Sequence, residues 1–169
     1  GDVLSLAAPG QPDIRILPDH WIPPMASPHR LRVISGPESD YFTSDSLATF
    51  WDKDPQELFS TSRHLNRTGI RMKGKPLLFR PEVPKSIISE GILPGTVQIP
   101  GDGLPIVMLY ERTIGGYARV ATVIRADRDR LAHLRPGDMV YFERITIEEA
   151  EASWKEKKDR MEAFPLSGK

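Results

Sequence analysis

The chain has 169 residues, of which 39% are apolar and 27% charged, the balance of a folded globular protein and not of a disordered one. Its 23 basic and 23 acidic side chains cancel, so the basic surplus of a nucleic-acid binder is missing. The absence of cysteine removes disulfides, thiolate catalysis and Cys-based zinc sites, and no apolar run is long enough for a membrane-spanning helix.

Sixteen prolines and 13 glycines favour turns and extended segments, hence a β-rich architecture. Residues 1–30 hold six prolines and read as a short strand at Val3–Leu6 followed by an irregular connection. That opening has neither the basic nor the apolar region of a signal peptide, so a cytoplasmic location is expected. "LRVIS" (31–35) is a buried strand stopped by Gly36-Pro37. "TSDSLATFW" predicts a short helix capped by Thr43, with Leu47, Phe50 and Trp51 on one face. Two strands follow, Glu57–Ser62 and Gly69–Lys73, around a polar link. "GTVQIP" and "PIVMLYE" flank Gly101-Asp102-Gly103, a hairpin signal. "ARVATVIR" is a strand, "ADRDRLAHL" one or two helical turns stopped by Arg135-Pro136-Gly137-Asp138, and "MVYFERI" a last strand. Thr146 and Glu149 form a capping box for a C-terminal helix. Its apolar stripe, Ile147, Ala150, Trp154, Met161 and Phe164, predicts a helix laid on the barrel or on a partner chain.

The Gly115-Gly116-Tyr117 step between two apolar runs invites two readings. Either it is a tight hairpin turn, or its adjacent backbone N–H groups form an anion-accepting nest with the Tyr117 phenol beside it. The four histidines, His20, His29, His64 and His133, share no metal-ligand spacing, so no metal site is expected. Neither a phosphate-binding Gly-rich loop ending in Lys-Ser/Thr nor a Gly-x-Ser-x-Gly elbow is present, and no nucleophile is visible.

"SRHLNRTGIRMKG", "SEGILPGTVQIPGDGLPIVML", "TIGGYARVATVIRADRDRLAHLRPGD" and "VYFERITIEEA" keep order and spacing, and together they resemble the family of allophanate hydrolase subunit 2. That family is also called biotin-dependent carboxyltransferase subdomain A, and it includes a 5-oxoprolinase subunit. The resemblance implies a mainly β fold, a cyclophilin-like β-barrel with short helices and a C-terminal α-helix. It also implies that the family's first half, with its Gln-Asp-x-Gly-Arg element, is missing. The expected organisation is residues 1–30 as linker and first strand left from that half, 31–146 as barrel, and 147–169 as helix and tail. A half-domain with uncovered barrel edges would be expected to associate.

The family's Ser-Asp-Arg-Met-Gly-Tyr-Arg motif falls on Ser62 and on Asn66 to Arg71. There Arg67, Gly69 and Arg71 match, while Asn66 replaces the acid and Ile70 the tyrosine. Arg67 is either a carboxylate or bicarbonate clamp, because a guanidinium fork binds planar anions through two parallel bonds, or a surface arginine on a strand end. Glu90, in Ser89-Glu90-Gly91, either polarises an amide or water or pairs with an arginine. Gln98 either reads both edges of an amide substrate or ties down a loop carbonyl. Thr113, Gly115, Gly116 and Tyr117 match the Thr-Thr-Gly-Gly-Tyr turn, with Ile114 in place of the second threonine and Ala118 in place of proline. Arg67, Arg71, Glu90, Gln98, Thr113, Gly115, Gly116 and Tyr117 are thus the expected substrate-binding residues.

The resemblance implies a subunit inactive alone. It would act with a sister carboxyltransferase-like subunit and the missing N-terminal half on a small amide or lactam. ATP or carboxybiotin would be supplied through partner subunits, with no cofactor held by this chain. ATP-dependent hydrolysis of 5-oxoproline is the expected reaction, since "RMKGK" is not the Met-Lys-Met signature of a biotin carrier. The alternatives are biotin-dependent carboxyl transfer to urea or another amide, a non-enzymatic regulator binding a kinase-inhibitor sister subunit, and a purely supporting barrel. The Asn66 and Ile70 substitutions fit the regulator.

Overall fold

A computed structural model describes residues 27–51, 57–111 and 113–163. The strand expected at Val3–Leu6 and the stripe residue Phe164 lie outside these residues. Strand β1 (His29–Ser35) begins ahead of its expected start and stops, as expected, before Gly36. Helix α1 (Ser44–Phe50) is capped as expected, Thr43 Oγ1 accepting the Ser46 N–H at 3.3 Å. Strand β2 (Phe59–Leu65) lies further along than Glu57–Ser62, and β3 (Gly69–Lys73) matches its expected span. The pairing of β2 with β3 jumps between Thr61 and Leu65. This bulge absorbs extra residues and carries the strand past Ser62.

Strand β4 (Glu90–Gly91) precedes the hairpin of β5 (Thr96–Ile99) and β6 (Ile106–Met108) around Gly101-Asp102-Gly103, where Val97 stands opposite Val107. Gly103 sits at φ +77°, a backbone conformation that favours glycine. Not foreseen was a two-stranded ribbon outside the main sheet, in which β4 pairs with β7 (Ile114–Gly115). Strands β8 (Ala118–Val123) and β9 (Met139–Arg144) flank a 3-10 segment, Arg125–His133. Helix α2 (Ile147–Glu162) carries the capping box: Thr146 Oγ1 accepts the Glu149 N–H at 3.2 Å, and Glu149 Oε2 accepts the Thr146 N–H at 2.8 Å.

The other seven strands close in the order β1-β8-β5-β6-β3-β2-β9. Closure comes from β9 lying parallel to β1, with His29 opposite Val140 and Val33 opposite Arg144. The barrel edges expected to be uncovered are therefore paired within the chain. Leu31, Val33, Ile70, Met72, Val97, Ile99, Val107, Val120, Val140 and Phe142 are all buried, and α1 lays Phe50 flat on Phe142, ring centres 4.6 Å apart.

The apolar stripe expected on α2 seats it only at its centre, through Ala150 and Trp154. Ile147 and Met161 are 60% and 55% exposed, and the helix has no buried residue. Its half-buried positions are Ala150, Ser153, Trp154 and Lys157, one turn-by-turn stripe. The surface beneath them is polar. Arg32 Nη1 donates to Ser153 Oγ at 2.8 Å, Lys157 Nζ donates to the Ala126 carbonyl at 2.7 Å, and Arg125 stacks 4.1 Å over the Trp154 ring.

Below this contact lies Asp127, 2% exposed. Its Oδ2 accepts the backbone N–H and Nε–H of Arg32 at 3.0 and 2.9 Å, and its Oδ1 accepts Nη2–H at 2.6 Å. Burial pushes the Asp127 carboxyl up, but the hydrogen bonds and charge of Arg32 outweigh it and hold the group below its ordinary value. A carboxylate with a depressed folded value stabilises the fold above its unfolded value, near 4. That stability is lost as the pH falls below about 4 toward the folded value. Replacing Arg32 by Ala strands a buried charge and is expected to cost about 3 kcal/mol in denaturant unfolding at neutral pH. Without Arg32, burial is left to raise the Asp127 carboxyl, so the deficit should shrink as the pH falls through that raised value, and a deficit constant with pH would refute the charge argument.

Candidate functional site

Because side chains alternate along a strand, the residues between the buried ones point out of the barrel wall. On β3 these are Gly69 and Arg71, on β5 Thr96 and Gln98, on β6 Ile106 and Met108. All of these but Thr96, together with His64, Asn66, Thr68 and Tyr117, line a cleft of about 340 Å³ on the outer face. Volumes of this size suit a small-molecule ligand.

Three of the expected site residues meet there: Arg71, Gln98 and Tyr117. Arg71 Nη1 lies 2.9 Å from Asp102 Oδ2, both side chains being well exposed. Such a pair contributes little stability, so an anionic ligand can take the place of Asp102. Gln98 is 2% exposed, and its Nε2 donates to the Tyr117 carbonyl at 3.3 Å. Of its two expected roles, tying down a loop carbonyl is thus realised, in a side chain that also reaches the cleft. Tyr117 is 41% exposed.

The remaining candidates lie elsewhere. Arg67 does not line the cleft; its side chain is 87% exposed and its Nε sits 3.0 Å from Glu111 Oε1. Arg71 and not Arg67 lines the cleft, because β3 turns Arg71 outward along the wall while Arg67 sits in the β2–β3 turn. Thr113 is exposed, and its carbonyl accepts the Ile92 N–H at 2.8 Å. Glu90 Oε2 is 3.0 Å from Arg119 Nη2, so it pairs with an arginine and is not in the cleft.

Gly115 and Gly116 form neither a tight hairpin turn nor a left-handed nest. Neither has a positive φ, and Gly115 pairs with Glu90 on the ribbon. Glycine is needed there for space. A Cβ on Gly115 would stand 2.2 Å from Ile92 Cδ1 and 2.6 Å from Gln98 Nε2. A Cβ on Gly116 would stand 3.0 Å from the Ile87 carbonyl oxygen. The ribbon therefore lies directly on Gln98 and covers it.

Against this geometry, residues 1–144 match the family model described as "Carboxyltransferase domain, subdomain A and B". The chain belongs to that carboxyltransferase-domain family. It is 37% identical over 123 residues to a 5-oxoprolinase subunit of Escherichia coli K12, covering 72% of this chain and 38% of the relative. It is 26% identical over 159 residues to a putative urea carboxylase of Emericella nidulans, covering 88% of this chain and 12% of the relative. The chain thus spans well under half the length of either relative. The crystal structure of the K. lactis urea amidolyase superposes with a TM-score of 0.71 at 21% identity, covering 82% of this chain and 9% of that one, a likeness of fold.

Within the carboxyltransferase-domain cleft, His64, Thr68, Ile106 and Met108 were not anticipated. The alternation of β6 carries the signal for Ile106 and Met108, since Val107 between them is buried. His64 carries none, because the bulge in β2 breaks its alternation. Asn66 Oδ1 accepts the N–H groups of Thr68 and Gly69 at 2.9 and 3.1 Å, which closes the β2–β3 turn. Of the other described histidines, His29 lies buried 3.2 Å from Asp138, while His133 is exposed; His20 lies outside the described residues.

Replacing Gly115 by Ala must displace Ile92 or Gln98 and is expected to cost about 1–3 kcal/mol in denaturant unfolding. Gly91 stands on the same ribbon with open space around its Cβ position. Its alanine variant should unfold like the parent; equal losses in both would mean that crowding over Gln98 is not the constraint.

Proposed function

We propose that this chain acts with a sister carboxyltransferase-like subunit in the ATP-dependent hydrolysis of 5-oxoproline, its outer cleft holding the substrate. The observation that carries the reading is the meeting of Arg71, Gln98 and Tyr117 in one small cleft. The similarity to a bacterial 5-oxoprolinase subunit supports it. A small lactam carboxylate asks for one cation, a donor for its carbonyl and an apolar wall. Arg71 supplies the cation, the Tyr117 hydroxyl the donor, and Ile106 and Met108 the wall, while Gln98 holds the Tyr117 carbonyl in place. In this reading the Tyr117 hydroxyl and the Arg71 guanidinium stabilise the negative charge developing on the substrate's oxygens.

ATP or carboxybiotin belongs to the partner subunits in this reading. Among the described residues, Arg71 is the only lysine or arginine lining the cleft, and a triphosphate would leave most of its charge unmatched. The bond-breaking groups are likewise assigned to the assembled complex. The second reading, biotin-dependent carboxyl transfer to an amide nitrogen, is favoured by the similarity to a putative urea carboxylase.

The test is ATP consumption by the full-length protein co-expressed with its sister subunits, with and without 5-oxoproline and avidin. Turnover that requires 5-oxoproline and ignores avidin is expected. Turnover abolished by avidin would transfer the assignment to carboxyl transfer. With activity in hand, Arg71→Ala should raise KM for 5-oxoproline by about tenfold or more, the loss of a charged hydrogen bond. Arg67→Ala should leave KM near its parent value. The reverse order would return the clamp to Arg67.

A further inference from the structure

We propose that Arg119 is the positioning residue of the cleft, acting through the β4–β7 ribbon to fix Gln98 and Tyr117. The inference rests on the proposed function only for the identity of the substrate. Arg119 stands opposite Gln98 on adjacent strands, both facing out of the barrel. Its own backbone N–H and its Nε–H both reach Glu38 Oε2, at 3.0 and 2.8 Å, while Nη2–H reaches Glu38 Oε1 at 2.6 Å. Three bonds to one carboxylate leave the guanidinium plane no freedom to turn. Its Nη2 also lies 3.0 Å from Glu90 Oε2.

Glu90 is the register partner of Gly115. The Arg119 contact therefore sets how close the ribbon lies to the wall, and there is no slack beneath it, since Gln98 Nε2 already fills the space a Gly115 Cβ would take. The same amide holds the Tyr117 carbonyl at 3.3 Å. If the ribbon lifts, Gln98 loses its cover and Tyr117 its anchor together. A purely structural arginine would need Glu38 alone, for the exposed Glu90 contact adds little stability. What the second carboxylate adds is a fixed height for the ribbon.

The test uses Glu90→Ala in the full-length protein with its sister subunits, because an exposed side chain can be removed without unfolding the barrel. Amide hydrogen exchange across residues 87–93 and 113–117 is expected to quicken by about two- to fivefold, the reach of an exposed ion pair, while β1 and β8 keep their protection. KM for 5-oxoproline should rise about two- to fivefold, with kcat near its parent value, the signature of lost positioning of a binding group. Arg119→Lys keeps the charge but not the fork and should reproduce both effects. Unchanged exchange in the ribbon would overturn the proposal, and so would a loosened ribbon with KM intact. If the parent complex turns over no 5-oxoproline, the functional reading falls, and the exchange measurement alone decides this one.

Discussion

A closed barrel of seven strands encloses room for little beyond its own side chains, and that constraint places everything else in this molecule. The lumen is filled by branched and aromatic residues, so a ligand can be met only on the outer wall. Polar side chains on β3, β5 and β8 have to point outward by the same alternation that sends Ile70, Val97 and Val120 inward. Gln98 is the telling case. It faces the side where solvent would be, yet it is buried, because the ribbon has been laid over it. Burial of an amide is costly unless its hydrogen bonds are met, and the Tyr117 carbonyl meets one of them.

What hangs outside the barrel is held by two guanidinium–carboxylate clasps of the same design. Arg32 with Asp127 and Arg119 with Glu38 each place a backbone N–H and Nε–H on one carboxylate oxygen and Nη2–H on the other. The first seats the 3-10 segment and, through Ser153, helix α2. The second ties the chain after β1 to β8 and reaches the ribbon through Glu90. In both, burial works against the carboxylate and the arginine outweighs it, so both carboxyls lie below their ordinary values. Clasps of this kind are rigid but brittle: removing one partner leaves a buried charge, whereas the exposed Arg71–Asp102 and Arg67–Glu111 pairs can open freely.

Local chemistry was legible in the sequence wherever it was sufficient. The Thr43 cap, the Thr146–Glu149 box, the Gly101-Asp102-Gly103 hairpin and the span of β3 depend on neighbours a few residues apart. The β4–β7 ribbon was not legible, because two-residue strands carry no period and pair only by lying on a finished wall. The Glu38–Arg119 clasp joins residues far apart in the chain, and nothing in either neighbourhood announces it. The α2 stripe was legible only at Ala150 and Trp154, for a related reason. Ile147 and Met161 fit an apolar face, but the surface the helix meets is carbonyls, carboxylates and arginines, which select Ser153 and Lys157. Arg67 and Arg71 stand in one motif, and only the strand register separates the one in the cleft from the one in the turn.

The same register bears on the motif departures that would favour a binding-only regulator. Ile70, where the family motif has tyrosine, is fully buried in the barrel, so that change concerns packing and not the cleft. Asn66, where the motif has an acid, keeps the side-chain oxygen that accepts the Thr68 and Gly69 N–H groups, and an aspartate would make the same turn. Ala118, where the motif has proline, stands opposite Ile99 within a ladder and is itself fully buried. Ile114 points its side chain to the solvent side, 58% exposed. None of the four removes a donor or a charge that Arg71, Gln98 and Tyr117 supply. Three of the departures thus concern packing or the solvent side, while Asn66 lines the cleft and sets an amide there in place of the motif's acid; all four leave Arg71, Gln98 and Tyr117 where they are.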